Sequence, residues 1–207
     1  MSPRRLPIVL VALAASVAVA FPEPSRTPVS WELKFESAMP RRIVVDTPGS
    51  GPKAYWYVTY TVTNNTDADQ QFLPSFEWVT NDGSVVRSDK GVPSAVFEAI
   101  KSRSGNKLLE NNVKIGGTLR QGEDQAKDGV AIWEETNARL GDFTIFVGGL
   151  SGENVQLTDS SGKAMTDPAG KPLLLFKTWQ LDYRLAGDAV YAGNDLLVKR
   201  GEKWVMR

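Results

Sequence analysis

Residues 55–64 read Tyr-Trp-Tyr-Val-Thr-Tyr-Thr-Val-Thr-Asn, and the period of that stretch is two. Trp56, Val58, Tyr60 and Val62 fall on one face; Tyr55, Tyr57, Thr59, Thr61 and Thr63 fall on the other. Successive side chains of an extended backbone point to opposite sides, and β-branched and aromatic residues fit a pleated surface, so this run predicts a long strand with one face in the core. Asn64-Asn65-Thr66-Asp67 then supplies turn chemistry. Asn64-Asn65-Thr66 is also a formal glycosylation sequon, with meaning only in a eukaryotic secretory pathway.

The flanking sequence repeats the pattern in shorter runs. Trp31, Leu33 and Phe35 alternate with polar neighbours, and Ile43 to Val45 is a short apolar run ended by Asp46-Thr47-Pro48-Gly49. Phe76, Trp78 and Val85-Val86 flank Asn81-Asp82-Gly83, a strong hairpin signal. Further strands are expected at 130–133, 143–147, 155–158, 173–185, 196–199 and 204–206, with Arg200-Gly201-Glu202 as a tight hairpin turn. One segment differs. Pro93 to Arg103 sets Val96, Phe97 and Ile100 on one helical face, with Gly105 just beyond, and predicts a single inserted helix. Many short strands, turn residues between them and one helix predict a mainly β chain: an antiparallel β-sandwich of two packed sheets. Pro22 to Pro28 reads as a stiff leader and 162–172 as a flexible loop, with no internal repeat.

Residues 57–66, Tyr-Val-Thr-Tyr-Thr-Val-Thr-Asn-Asn-Thr, resemble the central strand and turn of immunoglobulin-like modules of exported bacterial proteins of uncharacterised role. That resemblance implies the sandwich and carries no active site with it.

Before the leader, Arg4 and Arg5 precede an apolar stretch from Leu6 to Ala20 that ends in Ala18-Val19-Ala20. Basic start, apolar middle and small-residue end are the layout of a secretory signal peptide, and the run is shorter than the roughly twenty residues of a membrane span. No cysteine follows, so a lipid anchor on cysteine is excluded; the arginine pair matches the twin-arginine pattern poorly. Residues 1–20 are therefore expected to be removed, leaving a single domain over 21–207, exported to the periplasm or cell surface and with no stable membrane span.

Composition narrows the chemistry. Lys and Arg number 24, as do Asp and Glu, so no charge excess attracts nucleic acid. Histidine and cysteine are both absent. Their absence removes the commonest general base and metal ligand, thiol nucleophiles, thiolate metal sites and disulfides. Gly149-Leu150-Ser151-Gly152 approaches a nucleophile elbow, but Glu153 stands where glycine is required and no histidine exists to activate the serine. Ser160-Ser161-Gly162-Lys163 has a serine-x-x-lysine spacing, better read with Asp159 as a β-turn. Glu134 and Glu135 are adjacent on a strand and point apart, while Glu123 and Asp124 lie in a loop. Asp67, Asp69, Asp159, Asp167 and Asp195 sit in turns without the spacing of a calcium loop. No cofactor or metal is expected. Of the six tryptophans, Trp31, Trp56, Trp78 and Trp133 are in phase with core residues. Tyr55 and Tyr57 on the outer face of the long strand are the candidate binding residues, either as a recognition patch or as ordinary sheet surface.

The sequence thus predicts an exported, non-catalytic sandwich that binds or buttresses envelope protein or polysaccharide. The rival is a carboxylate-dependent polysaccharide hydrolase on the same scaffold, which needs two acids across one cleft.

Overall fold

The computed structural model describes residues 22–47, 51–136, 141–185 and 197–207; the expected signal peptide and Asp195 lie outside them. In chain order the elements are β1 (Lys34–Ser37), β2 (Arg41–Thr47), β3 (Gly51–Thr63), β4 (Gln70–Phe72), β5 (Ser75–Thr80) and β6 (Val85–Arg87). Next come helices α1 (Ser94–Ser104) and α2 (Asn112–Ile115), then β7 (Gly117–Leu119), a 3-10 turn at Glu123–Gln125, β8 (Lys127–Glu134) and β9 (Phe143–Gly148). The chain closes with β10 (Asn154–Gln156), β11 (Leu174–Leu185) and β12 (Leu197–Met206).

Two long strands organise two sheets, and among the described residues the pairings between these strands are antiparallel. β3 pairs β8 along one edge, from Tyr55↔Glu134 to Val62↔Lys127. Along its other edge β2 pairs residues 51–57 and β1 pairs 60–63. In the second sheet β11 pairs β12 on one side and β10 then β9 on the other, and β9 continues to β5 and β6. β4 and β7 form a small separate pair. The protein is a mainly β, antiparallel structure consistent with a sandwich, as its periodicity predicts.

The inner faces enclose an aromatic core. Trp56, Val58, Tyr60 and Val62 of β3 meet Phe76 and Trp78 of β5, Ile145 and Val147 of β9, and Leu181 and Tyr183 of β11. Trp78 stacks on Phe143 with ring centroids 3.8 Å apart and meets Trp133 edge-on at 5.4 Å. The indole N–H groups are not stranded: Trp133 donates to Val86 O at 3.1 Å and Trp56 donates to Glu135 at 2.7 Å. Each buried aromatic contributes roughly 2–3 kcal/mol through apolar burial.

Local chemistry explains the turns. Asn81-Asp82-Gly83 does close the β5–β6 hairpin, with Gly83 at φ 82° and Asp82 Oδ1 accepting from Ser84 N at 3.0 Å. α1 ends at Gly105, whose left-handed backbone lets its N–H reach Lys101 O and Ser102 O.

Two local expectations need correction. Arg200-Gly201-Glu202 is not a hairpin turn but lies inside β12, where the pairing with β11 shifts between Asp182 and Tyr183, leaving Arg200 as an extra residue. The segment 162–172, read as a flexible loop in a chain with no internal repeat, carries the second copy of a short repeated turn. Thr158-Asp159-Ser160-Ser161-Gly162-Lys163 recurs as Thr166-Asp167-Pro168-Ala169-Gly170-Lys171, and both copies form the same turn. Asp159 Oδ1 accepts from Ser161 N and Lys163 N, as Asp167 Oδ1 does from Ala169 N and Lys171 N. Among the described residues no helix is long and apolar enough to cross a membrane.

Candidate functional site

Tyr55 and Tyr57 are not displayed on an open face. Both are buried, at 0% and 3% exposure, in a second core formed with Val130 and Ile132 of β8, Val96 and Ile100 of α1, and Leu109. Periodicity tells which residues share a face but not what covers it; here α1, some forty residues further along the chain, lies over the tyrosines. The expectation of an exposed tyrosine patch is therefore corrected. Tyr55 Oη is buried with no hydrogen-bond partner, and an unpaired buried polar group costs about 1–3 kcal/mol. Tyr55→Phe, which keeps the ring and removes the orphan, is expected to raise the unfolding free energy by about 1 kcal/mol in urea titration; a loss of stability would show that the hydroxyl is satisfied.

The other sequence candidates separate by role. Glu134 and Glu135 do point apart: Glu134 pairs with Lys53 at 2.7 Å, and Glu135 takes a two-pronged contact from Arg42 at 2.7 and 2.8 Å together with the Trp56 indole. Ser151 is no nucleophile elbow, since its backbone bridges Glu32 and its Oγ accepts from Glu153 N at 3.1 Å. Ser160 to Lys163 form the turn on Asp159 described above. Asp124 accepts from its neighbour Gln125 at 3.0 Å. Asn64 spends its amide nitrogen on Ala68 O and Leu119 O, at 2.8 and 2.9 Å. In the folded chain that sequon nitrogen is committed to structure.

Opposite the core, the outer face of the second sheet holds an open groove of about 540 Å³. Strand register builds it: Glu77 of β5 stands beside Phe146 of β9 and Arg87 of β6, and Ser75 beside Gly148. Phe176 and Thr178 of β11 complete one wall, and Arg207 follows β12 by pairing its backbone with Phe176 at 2.7 and 3.0 Å. Absent side chains make the depth. A Cβ on Gly149, whose φ is 83°, would lie 2.4 Å from Leu73 O, and one on Gly152 would lie 2.4 Å from the Trp31 indole nitrogen.

Charge and aromatic surface are interleaved in this groove. The Arg207 guanidinium sits 4.0 Å from the centre of the Phe146 ring and 2.8 Å from Glu77 Oε2, while Arg87 Nε lies 3.2 Å from Glu77 Oε1. Glu77 is held between two cations. Phe176 and Leu73 remain 51% and 68% exposed beside it. Flat apolar faces next to guanidinium, hydroxyl and amide groups suit a ligand with hydrophobic faces and many oxygen atoms. Residues from 31 to 207 contribute, so no local spacing announces the site.

A buried clasp lies beneath the groove's Trp31 end. Lys177 Nζ donates to Ser25 O at 3.0 Å, to Glu153 Oε2 at 2.9 Å and to Glu32. Ser25 N returns a bond to Glu153 Oε1 at 2.8 Å. Backbone bonds from Leu33 N to Leu150 O and from Gly152 N to Trp31 O, at 2.9 and 3.1 Å, fasten the same segment. The expected stiff leader is thus tied at Ser25 to the sandwich, and the clasp fixes the strand that carries Trp31 into the groove.

Fold and site together define a class: an antiparallel sandwich with an aromatic and guanidinium groove on the outer face of one sheet. No family model, curated protein or solved structure matches the chain.

Proposed function

We propose that this protein is an exported, non-catalytic binding module of the bacterial cell envelope whose outer-sheet groove takes a polysaccharide chain. The observation that carries this reading is the groove itself: Trp31 and the half-exposed Phe176 offer stacking surface beside the Phe146 ring that Arg207 covers, while Gln71, Ser75, Arg87 and Arg207 offer hydrogen bonds. Sugar rings present one apolar face and a rim of hydroxyls, which such a mixed lining satisfies. Export rests on the basic and apolar layout of residues 1–20, and the threonine-rich strand that resembles immunoglobulin-like modules agrees with it. The hydrolase alternative is less well supported, because the groove lining holds a single carboxylate, Glu77, already bound by two guanidinium groups, whereas hydrolysis of a glycoside takes two.

Calorimetric titration with purified envelope polysaccharide tests this. Phe176→Ala and Arg207→Ala are each expected to weaken binding at least tenfold, about 1.4 kcal/mol, with no shortening of the polymer. Binding confined to envelope protein fractions would replace the polysaccharide by a protein ligand. Polymer cleavage abolished by Glu77→Gln would replace the binding module by an enzyme.

A further inference from the structure

The charged groups of the groove converge on one carboxylate. Glu77 stands in register with Arg87 of β6 on one side and Phe146 of β9 on the other, so the three side chains leave the same face of the sheet. Arg207 exchanges both backbone bonds with Phe176, at 2.7 and 3.0 Å, which sets their side chains next to each other on that face. From there the Arg207 guanidinium crosses the Phe146 ring, 4.0 Å from its centre, and reaches Glu77 Oε2 at 2.8 Å. Arg87 Nε meets Oε1, the other oxygen, at 3.2 Å.

Donors outnumber acceptors at this point. A guanidinium carries five N–H groups. Arg87 spends one of them on Glu77 and, among the described residues, makes no other hydrogen bond; its side chain is 79% exposed. Both terminal nitrogens are therefore left for a ligand. Ser75, two residues before Glu77 on the same face of β5, is exposed too. A Cβ on Gly148, its partner across the strands, would lie 2.5 Å from Ser75 Oγ, so the glycine keeps that hydroxyl open. Glu77, by contrast, has each oxygen held by a cation.

We propose that the polysaccharide taken by this groove is an acidic one, whose ring carboxylates bond to Arg87 and Arg207 while the sugar face lies on the half-exposed Phe176. The proposal rests on the groove being a polysaccharide site and names the class of sugar. A carboxylate borne on a sugar ring brings acceptor oxygens to the rim and leaves the apolar face of the ring free for stacking. A guanidinium matches that carboxylate with two parallel N–H···O bonds, which an ammonium cannot do. Glu77 is a positioning residue: it holds both cations in place before the ligand arrives, which lowers the ordering cost of binding, and it offsets their mutual repulsion in the empty groove.

Calorimetric titration of the protein with polygalacturonate, and with the same polymer after its carboxyls are reduced to alcohols, decides the matter. The acidic polymer is expected to bind at least tenfold more tightly, and that advantage should shrink several-fold between about 50 and 300 mM salt. Arg87→Gln should remove most of the advantage and leave affinity for the reduced polymer unchanged, which also shows that the variant is folded. Arg87→Lys, which keeps the charge and loses the fork, should fall between. Lys107→Gln, at an exposed cation just after α1, should alter neither affinity. Equal affinity for the two polymers, or an advantage that survives Arg87→Gln, overturns the acidic sugar and leaves a neutral-sugar groove standing. A phosphate-linked glycerol polymer that binds more tightly than polygalacturonate overturns the carboxylate in favour of phosphate. Binding of neither sugar polymer overturns the proposal as well; only if envelope polysaccharide also fails to bind does the groove fall with it.

Discussion

Replacing Lys177 by methionine is expected to lower the unfolding free energy by about 3–5 kcal/mol, because it strands two carboxylates that the ammonium now satisfies. Lys177 is 2% exposed, and its side chain also lies 5.2 Å from the Trp204 ring centre. Burial alone pulls the Lys177 pKa down, but the bonds to Glu32 and Glu153 outweigh it and hold the ammonium above its ordinary 10.5. Burial pushes Glu153 up, and the bonds from Ser25 and Lys177 overturn that and hold it below 4.5. The signs fix a pH window. A depressed carboxylate stabilises above its unfolded pKa and loses that contribution as acid protonates it; a raised amine stabilises below its unfolded pKa and loses it in strong base. The clasp therefore contributes fully between about pH 4.5 and 10.5. Urea titrations at pH 7 should show the large loss for Lys177→Met, with part of it recovered when Glu32→Gln and Glu153→Gln are added. A loss below about 1 kcal/mol would mean that water already screens the pair.

Trp78→Ala is expected to cost as much, about 3–5 kcal/mol, through the cavity it opens at the centre of the aromatic core. Trp78 is 4% exposed and touches Phe143, Trp133 and Trp56 at ring separations of 3.8, 5.4 and 5.9 Å. Set against a typical total stability of about 5–15 kcal/mol, either variant leaves little margin. Trp78→Phe should lose markedly less, and Val44→Ala, at a side chain 54% exposed on β2, should stay within about 0.5 kcal/mol. A Trp78→Ala variant that melts like the wild type would show that the two sheets do not meet at this residue.

Much of the fold is legible wherever one local pattern has one outcome. The period-two run at 55–64, the Asn-Asp-Gly hairpin and the helix before Gly105 each carry their own geometry, and each forms as read. Failures come where a distant segment decides. Nothing in Tyr55 and Tyr57 says that α1 will cover them, because the covering residues Val96 and Ile100 are part of a helix whose packing side is set by the whole chain. Arg200-Gly201-Glu202 has turn chemistry, but the twelve residues of β11 need a partner, and β12 runs straight through with a bulge. The turn pair at 158–171 was readable from its recurring Thr-Asp-x-x-Gly-Lys and is missed when glycine and proline are taken only as loop markers.

The groove is the least legible part, for a physical reason. Its aromatic rings come from the Trp31 strap and from strands β9 and β11, its carboxylate from β5, and its cations from β6 and the chain end. Phe146 alternates out of phase with the core residues Ile145 and Val147, so its outward position could be read, but not its neighbours across the sheet. The clasp at Lys177 connects this surface to stability: holding Ser25 and Glu32 in place is what keeps Trp31 at the groove rim.

Hydrogen exchange with and without bound envelope polysaccharide addresses this account most directly. It predicts slowed exchange in 73–77, 144–152 and 174–178, little change along β2 and α1, and a polymer of undiminished length. Protection confined to β2 and α1, with the groove strands unchanged, would contradict it.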